Sequence, residues 1–597
     1  MKTVSILGLS VLAQAVDPLV TLNYTQLQGS VIPSNGMTQW LGVRYAAAPT
    51  GDLRFAAPIN PPATTEVQDA TQMQAICLPR SPSDFTMRPN QRFNVSEDCL
   101  FANIFAPSNA TTSSALPVLY FIQGGGFSSN SNANFNGSDL AAFGNIVVVQ
   151  INYRVGPYGF LQSREVQTNG SLNNGLKDQI QGLKWVQQNI AAFGGDPKHV
   201  VASGDSAGAT SLGLLLAAWD EEDPRLIKGA ILESPSVATI RTLDQGQEQY
   251  NCLLQATNCT LAANTLNCLR AVNATSLQTE QCQFNPHLDN DLVRRPMLQS
   301  FDEGRFLHIP IIAGTCADEG TKNVPALTNT TAQALQFIDN RVFNVLSNTS
   351  LTLLNTTYLL TNRTGAIAVA NTVAQFPNSG PLWRPLANAA GDAAAHCITA
   401  RLQNAIAREG VKTFNYRFAV RDDEQERLGF GAYHTVELNA VFGPNNTDGN
   451  PPKSYRAGQS NAAIVPVTMA YWTSFVKALD PNDLKLAGTP DWTAWAGPEG
   501  RQRLRFQTNA TGLETMPDDQ VANCEMLDPM LPAIESISAP GVVVALNQRG
   551  QKNGTSWAQT AGQHKQTSAA AGPQTPVVAS TVAGLIAAAA AAALALA

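Results

Sequence analysis

The sequence of 597 residues is poor in charged residues and in histidine. Asp, Glu, Lys and Arg make up 14% of it, where about 25% is usual in globular proteins. The 38 basic and 45 acidic residues leave a net charge of −7, and no basic run stands out. Because nucleic-acid affinity depends on neutralising phosphates, this balance argues against a nucleic-acid partner. The six histidines show no paired ligand spacing, so we predict neither a metal site nor a cofactor.

The sequence also lacks internal repeats, and its composition does not change until about Gln548. Length alone would suggest roughly two to four domains. The 44% of hydrophobic residues excludes a chain that is disordered throughout. We predict one body over residues 16–546. Residues 547–576 are rich in Gly, Ser, Thr, Gln and Ala, which is typical of a stalk.

Residues 1–15 have the organisation of a secretory signal peptide. A single lysine precedes the apolar stretch from Val4 to Leu12, and Ala13-Gln14-Ala15 supplies the small residues of a cleavage site. The alternative is a buried first strand. Fourteen Asn-x-Ser/Thr sites favour export and a glycosylated surface. Nine cysteines in an exported chain predict disulfides and one unpaired thiol.

Residues 577–597 are uncharged and consist mostly of Ala, Leu and Val. They follow a polar stretch with small residues, in which Ser568 is the best candidate for attachment of a lipid anchor. Small residues, a short spacer and an apolar tail are typical of a GPI-attachment signal. The alternatives are an Ala-rich tail or a simple tail anchor. We expect a protein that is secreted or held at the outer face of the plasma membrane or in the cell wall, with membrane contact only through this anchor.

Between the termini, short apolar runs alternate with helical patterns. Near-continuous apolar runs predict strands that are covered on both faces. Strands are predicted at Val118–Gln123, Ile146–Tyr153, His199–Ser203, Lys228–Glu233, Pro310–Gly314 and Thr413–Val420. Helices are predicted at Asn174–Phe193 and Ala207–Trp219. This alternation predicts an α/β sheet.

Two glycine-containing segments contain the candidate nucleophile and the candidate oxyanion hole. Gly204-Asp205-Ser206-Ala207-Gly208 lies between a predicted strand and a predicted helix. This is the setting of a nucleophile elbow, a turn so tight that glycine is needed on both sides and the serine takes a strained conformation. Gly124-Gly125-Gly126 follows another predicted strand. We assign an oxyanion hole to the backbone N–H groups of Gly125, Gly126 and Ala207.

A serine nucleophile needs a basic histidine and an acid that orients it. With a nucleophile elbow the order along the chain is serine, acid, histidine. His434 lies in a Gly-rich loop after the strand predicted at Thr413–Val420, whereas His396 lies in an Ala-rich helical run. Loops at the carboxyl ends of strands are where α/β proteins build their sites. For the acid, the residues alone leave Asp318 and Glu319 equivalent.

Eight ordered blocks over about 400 residues match a known family pattern. They are Gly42–Tyr45 with Leu53–Phe55, Ser96–Leu100 with Asn103–Phe105, Gly124–Phe127, Asn152–Gly156, Phe193–Pro197, Gly204–Gly208, Asp318–Thr321, and His434 with Glu437-Leu438 and Val441–Gly443. On these blocks the chain resembles the type-B carboxylesterases of the α/β-hydrolase superfamily, the family of fungal lipases and cholinesterases. Asp205 and Thr435 stand where the family usually has Glu and Gly, so the border of the site is expected to differ.

The resemblance implies an α/β-hydrolase fold, which is one large domain with a mostly parallel twisted sheet, flanking helices and inserted loops. It implies Ser206 as the nucleophile, Glu319 as the acid and His434 as the base. It also implies disulfides between Cys77 and Cys99 and between Cys259 and Cys268. The pairing of Cys252, Cys282, Cys316, Cys397 and Cys524 stays open. A Cys397–Cys524 bond would match one found in some members, which would then allow Cys252 to pair with Cys282 and make Cys316 the candidate free thiol.

These assignments predict a serine hydrolase that cleaves a small-molecule carboxylic ester through an acyl-enzyme intermediate. Residues 78–98 contain no Trp, and cholinesterases place a choline-binding Trp in that loop, which argues against a choline-ester specialist. The loop is also shorter and more polar than the lid of interfacial lipases, so we favour small or soluble esters. The alternatives are an interfacial lipase on longer-chain lipids and a non-catalytic cell-surface adhesion relative. The natural ester, the acyl length and the oligomeric state stay open.

Overall fold

The computed structural model describes residues 17–81, 94–130, 135–341, 346–360, 379–447 and 451–536. The predicted signal peptide, stalk, apolar tail and anchor residue Ser568 lie outside these residues, and those predictions stay predictions. No helix of the described segments has both the length and the apolar character that crossing a membrane requires.

An eleven-stranded sheet runs through the described residues, beside a three-stranded and a two-stranded sheet. The strands are β1 (Leu19–Thr21), β2 (Gln26–Gln28), β3 (Ser30–Ile32), β4 (Met37–Arg44), β5 (Val67–Asp69), β6 (Ile76–Cys77), β7 (Val95–Ser96), β8 (Phe101–Pro107), β9 (Leu116–Ile122), β10 (Val147–Ile151), β11 (Gly195–Asp205), β12 (Gly229–Glu233), β13 (Ile311–Cys316), β14 (Thr413–Phe418), β15 (Gln502–Phe506) and β16 (Gly512–Thr515).

The large sheet is mostly parallel. Its order is β16-β15-β14-β13-β12-β11-β9-β10-β8-β4-β3. The strands from β15 to β10 in this order pair in parallel, and the strands at both edges pair antiparallel. Parallel neighbours need crossover connections that place helices on the faces of the sheet. The predicted fold class, an α/β fold around a mostly parallel sheet, is confirmed.

Helices cover both faces of this sheet, and further helices form a separate core. They are α1 (Ser138–Gly144), α2 (Gly156–Phe160), α3 (Arg164–Asn169), α4 (Asn174–Asn189), α5 (Ala207–Ala218), α6 (Leu243–Ala256), α7 (Thr265–Ala271), α8 (Met297–Asp302), α9 (Thr331–Arg341), α10 (Asn348–Leu354), α11 (Trp383–Gly391), α12 (Cys397–Arg408), α13 (Asp423–Arg427), α14 (Leu438–Val441), α15 (Ile464–Ala478), α16 (Asp518–Leu527) and α17 (Leu531–Glu535). Shorter 3-10 turns occupy Gly51–Leu53, Ile190–Phe193, Ala274–Leu277 and Lys453–Tyr455, and π-helical turns occupy Asn355–Leu359 and Asp392–His396.

The central strands are apolar throughout because both of their faces are covered. Successive side chains of a strand point to opposite faces of a sheet. In β9, Tyr120 and Ile122 join one buried core together with α4 and α5. Leu119 and Phe121 join the second core, which includes apolar side chains of α15. The near-continuous apolar runs in the sequence therefore correspond to strands with two buried faces.

Each predicted strand overlaps an observed one, with shifts at the ends. The strand predicted at His199–Ser203 is the middle of the longer β11. The helix predicted at Asn174–Phe193 ends at Asn189 and continues as a 3-10 turn. Gly194, with φ at +86°, then ends that turn. A residue in the left-handed region is a common way for a helix to stop, and glycine takes it without a steric cost.

A helical lobe beside the sheet forms a third buried core. We use this name for residues 331–341, 346–359, 383–396 and 518–535. Leu346, Leu354, Trp383 and Met530 are among its buried side chains. The lobe carries no strand of the large sheet. It is joined to the rest of the molecule by side-chain packing, by one disulfide and by polar contacts such as the backbone hydrogen bond from Ile240 to Glu535 at 2.6 Å.

Four disulfides are present among the described residues. Cys77–Cys99 and Cys259–Cys268 have the pairings that the resemblance implied, and the other two join cysteines whose pairing the sequence left open. The four bonds join Cys77 to Cys99, Cys252 to Cys282, Cys259 to Cys268 and Cys397 to Cys524. The last of them links α12, next to the helical lobe, to α16 within it. Cys316 is buried and unpaired.

Candidate active site

Ser206 stands on a sharp turn between β11 and α5. Its backbone has φ at +52° and ψ at −119°, a conformation that is strained for any residue with a side chain. The turn needs glycine on both sides. A Cβ on Gly208 would lie 2.0 Å from the carbonyl oxygen of Ile122, and a Cβ on Gly204 would lie 2.6 Å from the carbonyl carbon of Gly208. The backbone N–H of Ser206 donates to the carbonyl oxygen of Glu233 at 2.8 Å, which ties the turn to the neighbouring strand.

The imidazole of His434 lies between Ser206 and Glu319. Its Nε2 is 2.9 Å from Oγ of Ser206, and its Nδ1 is hydrogen-bonded to Oε2 of Glu319. His434 lies on the loop that follows β14, and Glu319 lies on the loop that follows β13. The three side chains that the sequence singled out as nucleophile, base and acid therefore form one hydrogen-bonded chain at the carboxyl ends of the parallel strands.

Glu319 is held from two further directions. Its Oε1 accepts a hydrogen bond at 2.6 Å from the backbone N–H of Cys316 and another at 2.6 Å from the hydroxyl of Ser234. Burial alone would raise the pKa of Glu319, but its charge interaction and hydrogen bond with His434 lower it below 4.5. Burial alone would lower the pKa of His434, but the carboxylate of Glu319 raises it above 6.5. The arrangement stabilises the imidazolium form against a carboxylate.

Asp318, which the residues alone left equivalent to Glu319, points away from Ser206. Its carboxylate accepts hydrogen bonds from Arg384 at 3.3 Å, Arg421 at 2.8 Å and the backbone N–H of Ala432 at 2.9 Å. These contacts fasten the loop after β13 to the loop that carries His434. Asp318 is therefore part of the support of the site rather than of the chain that reaches Ser206.

His396 does not reach Ser206. Its Nδ1 contacts the hydroxyl of Thr315 at 2.8 Å, in a buried position under the loop of Glu319. The imidazole of His199 contacts the carbonyl oxygen of Val476 at 2.8 Å, so it also lies elsewhere. No group of three or more His, Cys, Asp or Glu side chains in the described segments is arranged to hold a metal ion.

The glycine loop after β9 lies beside the elbow. The backbone N–H of Gly124 donates to Oδ1 of Asp205 at 2.8 Å, so the residue that replaces the family's usual Glu anchors this loop. Gly125 and Gly126 have φ at +117° and +61°. A Cβ on Gly125 would lie 2.1 Å from the carbonyl oxygen of Ser129. No acceptor among the described residues takes a hydrogen bond from the N–H groups of Gly125, Gly126 or Ala207.

A cavity of about 430 Å³ opens in front of Ser206. Ser206, Glu319 and His434 line it at one end, together with Gly126 and Ala207. The other end is apolar and is formed mainly by the helical lobe. The apolar side chains there are Phe337, Ile338, Leu346, Leu354, Leu527, Met530 and Ile534. A pocket of this size with one polar end suits a small molecule that carries a single reactive polar group.

Two buried glutamates under the site, Glu437 and Glu233, were not predicted from the sequence. Glu437 accepts hydrogen bonds from the hydroxyl of Tyr416 at 2.9 Å and the thiol of Cys316 at 2.8 Å. Burial raises the pKa of Glu437 to about 7. Glu233 accepts hydrogen bonds from Ser203 at 2.8 Å and from the indole N–H of Trp472 at 2.9 Å. A glutamate at the carboxyl end of an apolar strand is the signal that could have revealed Glu233.

Comparisons with known proteins identify relatives of this chain. A sequence model described as the carboxylesterase family matches residues 16–524. Para-nitrobenzyl esterase of Bacillus subtilis is 37% identical over 51% of this chain, and the match spans 63% of that protein. Secreted lipase 1 of Botryotinia fuckeliana is 30% identical over 84% of this chain and 91% of that protein. The crystal structure of EstA from Aspergillus niger covers 87% of this chain and 99% of that chain, with a TM-score of 0.79 and 36% identity.

The family match covers most of the chain, and the solved esterase shares its mostly parallel sheet and flanking helices. The predicted α/β-hydrolase fold and the resemblance stated from the sequence are thereby confirmed. The chain belongs to the carboxylesterase family and is a serine hydrolase that acts on carboxylic esters.

Proposed function

We propose that the protein hydrolyses small carboxylic esters in two steps, with Ser206 as nucleophile, His434 as general base and Glu319 as the orienting acid. The observation that carries this proposal is the pair of contacts made by one imidazole. Its Nε2 lies 2.9 Å from Oγ of Ser206, and its Nδ1 contacts a buried carboxylate. A serine beside a histidine that is itself held by an acid is the arrangement that activates a hydroxyl for attack.

In the first step Oγ of Ser206 attacks the carbonyl carbon of the ester, and its proton moves to Nε2 of His434. The tetrahedral intermediate then collapses, the bond to the leaving oxygen breaks, and His434 gives the proton to that oxygen. The alcohol leaves, and the acyl group stays on Ser206. Water then attacks the acyl carbon while His434 takes one of its protons, and collapse of the second intermediate returns that proton to Ser206 and releases the acid.

The negative oxygen of each intermediate needs donors that are already in place. We assign this role to the N–H groups of Gly125, Gly126 and Ala207. Two observations support the assignment. Gly126 and Ala207 line the cavity beside Ser206, and these amides have no acceptor within the described part of the chain. Buried N–H groups without a partner are rare in proteins, so amides left open beside a nucleophile suit a ligand oxygen.

Small or soluble esters are the proposed substrates. The cavity of about 430 Å³ lies toward the lower end of the usual range for small-molecule sites, about 300–1,000 Å³. Its apolar end would hold an acyl or alkyl group, and its polar end would hold the ester carbonyl. An interfacial lipase is the second candidate, since secreted lipase 1 of Botryotinia fuckeliana is among the similar proteins.

A series of p-nitrophenyl esters from acetate to palmitate tests both the chemistry and the substrate class. We expect the protein to hydrolyse short esters and Ser206→Ala to be inactive across the series. Ser113→Ala, which changes an exposed serine outside the cavity lining, is the matched control and keeps full activity. Hydrolysis by Ser206→Ala would overturn the nucleophile. Preference for palmitate with activation by an emulsion would favour the lipase, and no activity in any form would favour a non-catalytic relative.

We also propose secretion and tethering to the cell surface by a GPI anchor. The order of charge, apolar stretch and small residues at the start of the sequence supports export, and the apolar end preceded by small residues supports an anchor. Expression of the full chain in a eukaryotic cell tests this. We expect the activity on the cell surface, released by a phospholipase that cleaves phosphatidylinositol. Activity that stays inside the cell would overturn export, and activity free in the medium without the phospholipase would overturn the anchor.

A further inference from the structure

Lys322 lies against the loop that carries His434. Its Nζ is 3.3 Å from the centroid of the Tyr433 ring and 5.2 Å from the centroid of the Phe430 ring. A cation above the face of an aromatic ring is attracted by the negative charge density of that face, and the attraction grows when water is removed from it. Lys322 belongs to the loop after β13, three residues after Glu319, and Tyr433 directly precedes His434.

The contact therefore joins the loop of the acid to the loop of the base. Other bonds connect the same two loops, including the ion pair between Asp318 and Arg421. The backbone N–H of Asp318 donates to the carbonyl oxygen of Ala432 at 2.9 Å, the N–H of Ala432 donates to Asp318, and the hydroxyl of Thr321 donates to the carbonyl oxygen of Phe430 at 2.9 Å. These hydrogen bonds end at Phe430 and Ala432, which both precede Tyr433. Lys322 contacts Tyr433 itself, the residue next to the base.

No carboxylate of the described residues forms an ion pair with Lys322, and five acidic groups of the two loops have other partners. Asp318 is bound by Arg384 and Arg421, Glu319 by His434, and Glu426 by Arg421. Asp422 caps α13 through the N–H groups of Glu424 and Gln425, and Glu437 is bound by Tyr416 and Cys316. Burial lowers the pKa of Lys322 to about 8. The aromatic rings are thus the groups that hold its ammonium.

We propose that Lys322 is a positioning residue of the hydrolysis. Its ammonium contacts the ring of Tyr433 and thereby keeps the imidazole of His434 aligned with Glu319 and Ser206. This proposal rests on the role of His434 in the proposed function. It makes the reaction sensitive to alkaline pH, because the ammonium is present below the pKa of Lys322 and is lost as the pH rises through that value. The neutral amine holds the ring more weakly, and small displacements of a general base are costly to its rate.

The pH profile of kcat between pH 6 and 10 on p-nitrophenyl acetate tests the proposal, with the enzyme-free rate subtracted at each pH. For the wild type we expect kcat to fall about threefold to tenfold above pH 8, in line with the usual strength of such a contact. Lys322→Met keeps the length of the side chain without its charge. At every pH its kcat should lie below the wild-type kcat at pH 7 by this same factor. The alkaline decrease should be absent, and KM should change by less than about twofold.

Three further variants separate positioning from a structural effect. Lys322→Arg keeps a cation that stays charged through pH 10, so its kcat should match the wild type at pH 7 and show no decrease above pH 8. Tyr433→Phe keeps the ring and should keep the wild-type profile. Tyr433→Leu removes the ring and should resemble Lys322→Met, and the double variant should lose no more than either single one.

A wild-type kcat in Lys322→Met, or an alkaline decrease that persists in it, would overturn the proposal. If Lys322→Met fails to fold, the same test is made with Lys322→Arg, in which an unchanged decrease above pH 8 is the contrary result. Ser206→Ala is assayed in parallel. Activity in that variant means that the proposed function fails, whereas an inactive Ser206→Ala with an alkaline decrease in Lys322→Met means that only this inference fails.

Discussion

The polar and apolar ends of the cavity are supported in different ways. Ser206, Glu319 and His434 follow β11, β13 and β14, which lie in a parallel run with β12 between the first two. Backbone hydrogen bonds between these strands fix where each loop begins. The apolar end is walled by the helical lobe, where Leu354 and Met530 are buried among other apolar side chains. No strand of the large sheet passes through the lobe.

This difference separates the reaction from the choice of substrate. A hydrogen-bonded register holds a residue to a fixed position, and a change there disturbs every group that depends on it. Apolar packing tolerates substitution better, provided that volume is roughly conserved. We therefore expect changes at the sheet end to abolish catalysis for all esters and changes in the lobe to alter which ester is preferred.

The largest effect is expected from removal of the imidazole at the sheet end. His434→Ala should lower kcat by on the order of 10⁶, and Glu319→Gln by about 10⁴. Asp318→Asn is the matched control, because it changes the neighbouring carboxylate, which contacts Arg384 and Arg421 instead of His434. Single-turnover rates on p-nitrophenyl acetate measure all three. A loss in Asp318→Asn as large as that in Glu319→Gln would contradict the division of roles between these carboxylates.

The next effect tests how tightly the sheet holds Ser206, the proposed nucleophile. Gly208→Ala adds a methyl group that would lie 2.0 Å from the carbonyl oxygen of Ile122, so the elbow must shift. We expect kcat to fall by at least about 10² and the midpoint of thermal unfolding to fall as well. Gly512→Ala, where the nearest atom to the added carbon is 4.0 Å away, is the control. If Gly208→Ala behaved like this control, the close approach at the elbow would be disproved.

A smaller, selective effect is expected in the lobe. Leu354→Ala enlarges the apolar end of the cavity and should shift the ratio of kcat/KM for octanoate over acetate about tenfold toward octanoate. The loss of a buried leucine should also lower the free energy of unfolding by about 2–5 kcal/mol. Leu353→Ala changes the neighbouring leucine, which is 41% exposed and lies outside the cavity lining. An equal shift of preference in both variants would mean that the lobe does not act through the cavity wall.

The smallest expected effect is a shift in the pH at which activity is lost on acidification. The proposed mechanism needs neutral His434, whose pKa Glu319 raises above 6.5. The kcat/KM of the wild type should therefore fall as the pH drops through a value above 6.5. In Glu319→Gln the carboxylate is lost, so the residual activity should persist to lower pH. A decrease at the same pH in both proteins would show that another group controls it.

The fold was predictable where one local pattern decides it. The apolar runs around Val201 and Ile231 identify central strands because both faces of those strands are buried. The outer strands were not predicted. In β15, Gln502–Phe506, which lies next to the edge strand β16, polar residues outnumber apolar ones, and the buried Arg503 is held by Glu514 at 2.7 Å. From the sequence, an arginine in a strand is expected to be exposed unless the glutamate that pairs with it from the neighbouring strand is known.

The candidate active site was also only partly predictable from the sequence. The order of residues 204–208 is sufficient to place Ser206 on a turn, and the structure has that turn. The choice between Asp318 and Glu319 was not contained in the residues alone, because adjacent side chains leave a loop in different directions. Arg384 and Arg421, which bind Asp318, lie far from it in sequence. The lobe was not predicted either, since its helices are specified by packing against one another.

The unpaired thiol of Cys316 bears on how the chain acquires its four disulfides. In an oxidising compartment, a ninth cysteine can attack a disulfide only as its thiolate. Burial and the nearby carboxylate of Glu437 raise the pKa of the Cys316 thiol well above its usual value, so the folded protein holds almost none of that form. The residue lies in β13, between β12 and β14, and is inaccessible once these strands have paired. Disulfide exchange through Cys316 is therefore confined to the time before the sheet closes, and the yield of correctly bonded protein depends on how soon that happens.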